Sequence, residues 1–283
     1  MFQANTVLNR VFSPKLFKSL IAQQPNASAI YSAAIKRYIN PPIKRKNIEL
    51  IEEFYKQLKK NYRNEYFYRN VLLKQLLFKF HKPNTTVALS EVPVAKSIAD
   101  FILINGEAIV YEIKTDLDNF ERLDSQLRDY YRAFDKVCVV VSEKNASIML
   151  KRLKNRQTGI YYITKRGALK PLREPKAYWK TLNADVMFKI LRKKEYENIL
   201  SHYYELPKVS AFEYYRACQE LFKKIPLNEI YVHFKEQLKS RRHIDSSLIS
   251  LVPKELVSLV YFAQFKTQEY FALKNFLEKE YRG

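Results

Sequence analysis

Two apolar runs on either side of Asn105 and Gly106 form the clearest hydrophobic pattern in the chain. The runs cover residues 98–104 and 108–114, and both have the length and β-branched content that are typical of strands. Asn-Gly is the most common short signal for a hairpin turn, so we predict that the runs pair as antiparallel strands. A charged side chain within such a pair is costly to bury unless it is paired or binds a metal ion.

Weaker patterns on both sides of this hairpin predict an α/β domain between helical regions. Alternating apolar residues predict a strand over 86–92, and apolar runs predict strands over 136–141 and 159–163. Helical periodicity covers residues 6–24, 26–39, 47–80 with a break between 62 and 68, 118–134 and 145–154, and most of the chain after 177. The expected fold is α/β: a mixed sheet of about four to five strands between helices, with helical additions at both ends.

Three charged residues lie within the hairpin: Asp100 in the first run, and Glu112 and Lys114 in the second. Successive side chains of a strand point to opposite faces, so Glu112 and Lys114 share a face that Asp100 can approach. Two neighbouring carboxylates repel each other and need a cation, for which Mg²⁺ is suited, with Mn²⁺ as an alternative. Such a site suits hydrolysis of phosphodiester bonds, in which Lys114 polarises a phosphate or orients the attacking water.

The helix predicted after the hairpin carries two polar residues on one face. Gln126 and Tyr130 are four positions apart, so both side chains can support one site. Asp116 and Asp118 precede this helix, and we expect both to cap its N-terminus rather than to bind an ion. Glu91, in the first strand, is either a further site carboxylate or, as we favour, pairs with Lys96 in a salt bridge at the edge of the sheet.

These residues carry a resemblance to a known family. Asp100, then Glu112-Ile113-Lys114, then Gln126 and Tyr130 resemble the motifs of the PD-(D/E)XK nuclease superfamily in its RecB-like branch. The stretch is most similar to a poorly characterised group of bacterial nuclease-like proteins. We therefore expect a bacterial protein with a role in prophage biology or in defence. The resemblance covers roughly residues 60–142, and it departs from the family pattern at Ala99, where members often have proline.

The resemblance implies a restriction-endonuclease-like core and a Mg²⁺-dependent nuclease. Residues that match the family motif would bind the ion through the carboxylates of Asp100 and Glu112 and the main-chain carbonyl of Ile113. Lys114 would act on the attacking water or the transition state, and Gln126 and Tyr130 would steady the site or contact the nucleic-acid backbone. Glu65, on a helix upstream, is the implied third carboxylate for the ion, with a helix-face pair to Arg69 as the alternative. Lys114→Ala is expected to keep the fold and to abolish cleavage.

The charge distribution indicates a polyanionic partner. The net charge of the chain is +21, yet residues 85–143 carry 11 acidic and 6 basic side chains, a net charge of −5. An acidic core between basic segments suits a nuclease, because carboxylates hold the ion and cations hold the phosphate backbone. We expect a nucleic acid, DNA rather than RNA, and no membrane. Lys44, Arg45 and Lys46 form a basic cluster that is either a phosphate contact or a solvated turn.

Other functions and assemblies stay open. The same fold, if inactive, could bind nucleic acid or act as a protein adaptor, and a basic helical scaffold could bind an acidic protein. We divide the chain into an N-terminal helical basic extension (1–46), a nuclease-like domain (47–176) and an α-helical C-terminal domain (177–283), which offers a surface for a protein partner. A homodimer is a further alternative. Two separate cysteines and the lack of a leader or spanning run suggest the cytoplasm.

Overall fold

The computed structural model describes residues 2–39, 44–80, 85–154, 156–241 and 246–281. Contacts divide the chain into two compact units. A helical unit contains Met1–Phe80 and Ile244–Gly283, so that both ends of the chain share it, and a sheet unit contains His81–His243. The domain limits that we drew at residues 46 and 176 follow composition rather than packing, and they stay a prediction.

The helices are short and follow one another closely along the chain. In chain order they are α1 (Phe2–Val11), α2 (Pro14–Ile21), α3 (Pro25–Tyr38), α4 (Asn47–Asn61), α5 (Glu65–Leu72), α6 (Leu123–Tyr130), α7 (Ala146–Arg152), α8 (Ala184–Ile190), α9 (Lys193–Leu200), α10 (Ala211–Phe222), α11 (Leu227–Lys239), α12 (Ser246–Ile249), α13 (Val257–Ala263) and α14 (Thr267–Glu278). A π-helical segment, Leu73–Phe80, continues α5, and a single 3₁₀ turn, Glu143–Asn145, precedes α7. Among the described residues, none of the helices has both the length and the apolar character needed to cross a membrane.

The helical unit is built on amphipathic helices whose apolar stripes are buried. In α4 the stripe consists of Leu50, Ile51, Phe54 and Leu58, all fully buried. These spacings return to one side of a helix with a period of 3.6 residues. The predicted break after this helix is present, because α4 ends at Asn61 and the side chain of Asn64 caps α5.

The sheet unit is a mixed α/β structure with six strands in sequential order. The strands are β1 (Val87–Val94), β2 (Ser97–Asn105), β3 (Glu107–Lys114), β4 (Lys136–Ser142), β5 (Gly159–Ile163) and β6 (Leu169–Arg173). The pairs β1–β2, β2–β3 and β5–β6 are antiparallel, whereas β3–β4 and β4–β5 are parallel. Helix α6 connects β3 to β4, and α7 connects β4 to β5, as parallel neighbours require a crossover. The predicted hairpin and the order of meander, helix and strand are confirmed.

The sequence patterns did not predict strand β6. It contains Pro171, and most of its side chains are exposed, so it lacks the apolar signal of the inner strands. Proline has no N–H to donate and is therefore tolerated in a strand only at the edge of a sheet. As the last strand, β6 meets this condition, which raises the sheet from the expected four or five strands to six.

The helices α6 to α11 contribute to one apolar core on a single face of the sheet. Helices α6 and α11 pack on β2, α8 packs on β1, and α7 packs on β4 and β5. The strand residues in this core include Ile102 and Ile104 of β2 and Ala108 and Val110 of β3. Since side chains alternate along a strand, Ile102 and Ile104 share this helix-covered face, as do Ala108 and Val110. Nearer the start of β2 the alternation shifts, because Ala99 belongs to the core and Ile98 is exposed.

Candidate active site in the sheet unit

Asp100 and Glu112 occupy facing positions on β2 and β3. The antiparallel pairs run from Asn105–Glu107 to Phe101–Tyr111, and the next step in this register sets Asp100 opposite Glu112. Glu112 follows Val110 by two residues and accepts from the Tyr130 hydroxyl of α6, so it lies on the helix-covered face. Besides burial, the negative charge of Asp100 raises the pKa of the same hydroxyl, so Asp100 lies close to this face. The structure therefore brings together the two carboxylates that the sequence predicted as a pair.

The carboxylate of Asp100 accepts a hydrogen bond from the main-chain N–H of Ile113 at 2.7 Å. This N–H follows the last main-chain pair of the β2–β3 ladder, and the Asp100 side chain provides its acceptor. A buried main-chain donor needs a partner, so the interaction anchors Asp100 beside the stretch from Glu112 to Lys114. The sequence did not predict this contact.

Glu112 is held between a cation and a phenol. It is 1% exposed, and its Oε1 forms an ion pair with Nζ of Lys114 at 2.9 Å. Its Oε2 accepts a hydrogen bond from the hydroxyl of Tyr130 at 2.6 Å. Because a buried carboxylate without partners is costly, these two contacts are what allow Glu112 to lie within the core.

Helix α6 contributes both of its predicted side chains to this group. Nζ of Lys114 donates to Oε1 of Gln126 at 2.8 Å, and the hydroxyl of Tyr130 also lies 2.7 Å from the main-chain oxygen of Ile98. The spacing of four residues places Gln126 and Tyr130 on one face of α6, as the sequence predicted. We call Asp100, Glu112, Lys114, Gln126 and Tyr130 the carboxylate–lysine cluster.

Burial is the main cause that raises the pKa of the Tyr130 hydroxyl, and the negative charge of Glu112 raises it further. Tyr130 therefore remains a proton donor at neutral pH. Lys114 is 8% exposed, and among the described residues its ammonium group contacts two acceptors, Glu112 and Gln126. An ammonium has three N–H groups, so one donor is left for a substrate or a water molecule.

A second contact fixes α6 to the turn between β1 and β2. The carboxylate of Asp129 accepts from Oγ of Ser97 at 2.7 Å and from the main-chain N–H of Lys96 at 3.2 Å. This interaction was missed in the sequence, although Asp129 lies next to the Gln126 and Tyr130 motif. No local pattern links Asp129 to a turn that lies more than thirty residues earlier in the chain.

Asp116 and Asp118 do not cap α6, and our prediction that they do is wrong. Asp118 accepts from the main-chain N–H and the hydroxyl of Thr115, at 2.8 and 2.7 Å, whereas Asp116 accepts from Ser142 and Asn145. Asp118 thereby folds the chain into a turn, and α6 begins later than predicted, at Leu123. Short acidic side chains compete in this way with helix formation.

Glu91 lies in β1 between the pairs Ser90–Phe101 and Val92–Ala99, which places it opposite Asp100. Its φ of 55° is in the left-handed region, where a residue other than glycine costs roughly 1–2 kcal/mol. The side chain is exposed. Its role as a further carboxylate of the site stays a prediction.

The donor set of the cluster suits a hard divalent cation. Asp100 and Glu112 supply carboxylate oxygens and Ile113 supplies a main-chain carbonyl, the ligand types that Mg²⁺ prefers. A carboxylate has about four acceptor positions, so Glu112 can hold Lys114 and Tyr130 and still accept an ion. Within the described part of the chain, no group of three or more His, Cys, Asp or Glu side chains is arranged to hold a metal ion. The fit therefore rests on two carboxylates and a carbonyl.

The remaining predicted residues lie in the helical unit. Glu65 is the first residue of α5, and its carboxylate pairs with Arg69 at 3.2 Å, which is the alternative that we named for it. Lys44 and Lys46 are exposed, and the guanidinium of Arg45 donates to the main-chain oxygen of Glu49 at 3.2 Å. Metal binding by Glu65 and phosphate binding by the basic cluster both stay predictions.

The chain is similar to a family of phage proteins and to two individual proteins. The family model of Bacteriophage P4 protein cII matches residues 58–257, which include all six strands and every residue of the carboxylate–lysine cluster. Protein cII of Enterobacteria phage P4 is 27% identical over 181 residues, a match that covers 62% of this chain and 67% of the phage protein. The SPO1766 protein of unknown function from Silicibacter pomeroyi matches with a TM-score of 0.30 and 17% identity, over 40% of this chain and 70% of that one.

Proposed function

The chain belongs to the Bacteriophage P4 protein cII family, and within that family we propose that it is a metal-dependent nuclease with a restriction-endonuclease-like core. The reaction is hydrolysis of phosphodiester bonds, with DNA favoured over RNA. One observation carries the proposal: Glu112, buried and facing Asp100 across the hairpin, is clamped between the ammonium of Lys114 and the hydroxyl of Tyr130. Buried charges are costly, and clusters of ionisable side chains of this kind are more frequent at functional sites than in the rest of a core.

Mg²⁺ is the cation that this donor set suits, and Asp100, Glu112 and the carbonyl of Ile113 would hold it. A bound divalent ion lowers the pKa of a water ligand and offsets negative charge on the phosphate oxygens. Asp100 is kept in place for this role by the N–H of Ile113. Glu112 is kept in place by Lys114 and Tyr130, so neither carboxylate needs to reorganise when an ion arrives.

Lys114 provides the positive charge that the chain itself brings to the reaction. In hydrolysis the oxygen of water forms a bond to phosphorus, and the bond from phosphorus to a sugar oxygen breaks, after which that oxygen leaves with a proton. The third N–H of Lys114 is available to orient the water or a phosphate oxygen, while Gln126 and Glu112 fix the direction of the ammonium. Tyr130 acts on Glu112 and is therefore a positioning residue.

Charge supports a nucleic acid as the substrate. The chain carries 50 basic and 29 acidic side chains, and the segments on either side of residues 85–143 hold the positive excess. Basic side chains bind phosphates with little dependence on sequence, so they would supply affinity rather than specificity. We include Lys44, Arg45 and Lys46 among these contacts. Cys138 and Cys218 are buried free thiols, which supports a reducing compartment such as the cytoplasm.

The test uses the purified full-length chain with labelled single- and double-stranded DNA and RNA, in the presence of EDTA, Mg²⁺ or Mn²⁺. We expect cleavage that requires the metal and that falls at least about 100-fold in Asp100→Asn and Glu112→Gln. Asp124→Asn is the matched control, because Asp124 is an exposed carboxylate of α6 that pairs with Arg152. Equal cleavage by wild type and both site variants would remove the carboxylate–lysine cluster from the reaction.

The same contacts of Glu112 are also compatible with a second function, nucleic-acid binding without cleavage. Each oxygen of Glu112 already has a protein partner, so the cluster is also stable as a purely structural polar group. In this case wild type would bind DNA or RNA with an affinity that falls steeply with salt, and no metal would produce cleavage. The same variants would then leave the affinity unchanged.

A further inference from the structure

A dense group of positive charges lies on the last strands of the sheet. Residues 151–180 contain 10 basic side chains and 1 acidic side chain, a net charge of +9 out of +21 for the whole chain. The segment covers the end of α7, strands β5 and β6, and the chain that follows β6. All of it belongs to the sheet unit, which also contains the carboxylate–lysine cluster.

Most of this charge is on the surface. Nine of the ten basic side chains are exposed, and the tenth, Arg173, is half-buried. The acidic residue of the segment, Glu174, accepts a hydrogen bond from the hydroxyl of Tyr161, and Arg152 pairs with Asp124 of α6. Like charges at this density repel one another unless an anion lies between them, so the surface favours a polyanion.

Arg173 gathers basic residues at one end of β6. Its guanidinium donates to the main-chain oxygens of Thr158 and Leu153, at 2.8 and 3.3 Å, and so holds the loop before β5 against β6. Lys154 and Arg156 belong to this loop. Burial lowers the pKa of the Arg173 guanidinium, and the positive charge of Arg156 lowers it further, so these two cations are close together.

The turn between β5 and β6 carries two more cations, Lys165 and Arg166. Glu143, which follows β4, accepts from the main-chain N–H of Lys165 at 2.9 Å. The turn therefore lies beside the carboxyl end of β4, at the edge where the parallel strands of the sheet end. Lys114 is the last residue of β3, so it belongs to the same edge.

Between these two ends, the chain runs along the outer edge of the sheet. The main-chain N–H of Lys176 donates to the oxygen of Gln157 at 2.9 Å, so pairing continues past the end of β6. The six residue steps from Lys170 to Lys176 span at most about 20 Å. One strand of a duplex presents a phosphate about every 3.4 Å along the axis, so about six phosphates match this length. We call the following five residues the basic edge: Lys154, Arg156, Arg166, Lys170 and Lys176.

The register of the sheet relates the basic edge to Lys114. Lys114 pairs with Val141, Val141 with Tyr162, and Tyr162 with Lys170. Paired residues of neighbouring strands point to the same face, so Lys170 lies on the face of the sheet that carries Lys114. Three strand spacings separate them, a distance of about 14 Å, which about four phosphate steps cover.

We propose that the basic edge binds the phosphate backbone of the nucleic acid on which the carboxylate–lysine cluster acts. This inference deepens the proposed function and rests on it for the identity of the polyanion. Contacts to phosphates supply affinity and position the strand without reading its sequence. DNA and RNA share this chemistry, so the experiment uses both.

The test is fluorescence anisotropy of the full-length chain with labelled DNA and RNA of equal sequence, in EDTA and over a series of salt concentrations. A triple variant, Arg166→Gln, Lys170→Gln and Lys176→Gln, removes three cations of the basic edge. Each phosphate contact contributes about 0.9 to the slope of log K against log salt on a duplex. We expect the slope to become shallower by about 2.7 and the affinity at 0.1 M salt to fall at least about tenfold.

The matched control removes three exposed lysines from other elements of the sheet unit, as Lys194→Gln, Lys208→Gln and Lys224→Gln. It causes the same change in net charge, so it should leave the slope unchanged if the basic edge makes the contacts. All of the replaced side chains are exposed, and the midpoint of unfolding in urea verifies that both variants are folded.

Three outcomes would overturn the proposal. They are a triple variant that matches the control in slope and affinity, a wild type that binds neither DNA nor RNA at low salt, and displacement of the nucleic acid by polyglutamate at equal charge concentration. Asp100→Asn leaves the basic edge intact and should bind like wild type in EDTA. If wild type binds through the basic edge and does not cleave, the proposed nuclease fails and the basic edge stands.

Discussion

Replacement of Lys114 by methionine tests whether Glu112 is a buried charge held by its partner. The substitution keeps a long apolar stem and removes only the ammonium group. At 2.9 Å and with an effective dielectric constant near 20, the attraction between the two charges is about 6 kcal/mol before any desolvation is counted. Removal of one partner from a buried pair of this kind typically lowers the free energy of unfolding by about 3–5 kcal/mol.

A cost of this size is a large part of the total stability of a domain, about 5–15 kcal/mol. The buried pair therefore changes the expectation that Lys114→Ala keeps the fold intact, and any loss of cleavage in a Lys114 variant must be measured where the variant is shown to be folded. The double variant Glu112→Gln with Lys114→Met removes both charges. We expect it to be more stable than Lys114→Met alone, because no uncompensated charge remains in the core.

The assay is urea unfolding followed by circular dichroism, with wild type, both single variants and the double variant compared as a cycle. Lys136→Met is the matched control: Lys136, on the neighbouring strand β4, pairs with Glu107, whose side chain is 59% exposed. An exposed pair contributes only about 0–1 kcal/mol. If Lys114→Met lowers the free energy of unfolding no more than Lys136→Met does, the charge of Glu112 does not depend on Lys114. That result would refute the observation on which the proposed nuclease rests, a buried carboxylate held by an ammonium group.

Two further predictions concern the sheet unit. Gly106 turns the hairpin with a φ of 72°, and since a Cβ there would meet nothing within 4 Å, Gly106→Ala should cost about 1–2 kcal/mol from backbone strain alone, measurable as a lower midpoint of unfolding in urea. Burial raises the pKa of Tyr131 to about 12. The unfolded chain releases this proton near pH 10, so the stability that Tyr131 contributes is complete below that pH and is lost as the pH rises towards 12. Tyr131→Phe should flatten this alkaline loss of stability in unfolding curves, and an unchanged pH dependence would contradict the assignment.

Local patterns predicted the elements that carry the cluster. Alternation along the strands set Glu112 and Lys114 on one face, and the spacing of Gln126 and Tyr130 set both on one side of α6, because a backbone of regular geometry repeats every two or 3.6 residues. The hairpin turn at Gly106 also followed from the residues at that position. These features depend on a few neighbouring residues, so they can be read without knowledge of the rest of the fold.

Where two local signals compete, the sequence did not predict which local structure forms. Asp118 can cap a helix or close a turn with Thr115, and both use the same side-chain oxygen, so only the packed chain selects the turn. Strand β6 has no apolar pattern, and it exists because the edge of β5 offers a row of free main-chain partners. In both cases the outcome depends on groups that are distant in sequence.

The amino-acid sequence by itself determined that Glu112 and Lys114 share one face of a strand and that Asp100, across the hairpin, can approach them. Only the tertiary structure decided their partners: Ile113 for Asp100, Lys114 and Tyr130 for Glu112, and the joining of both chain ends in the helical unit. The reason is physical. The direction of a side chain follows from local backbone geometry, whereas its partner follows from the packing free energy of the whole chain, which no short stretch contains.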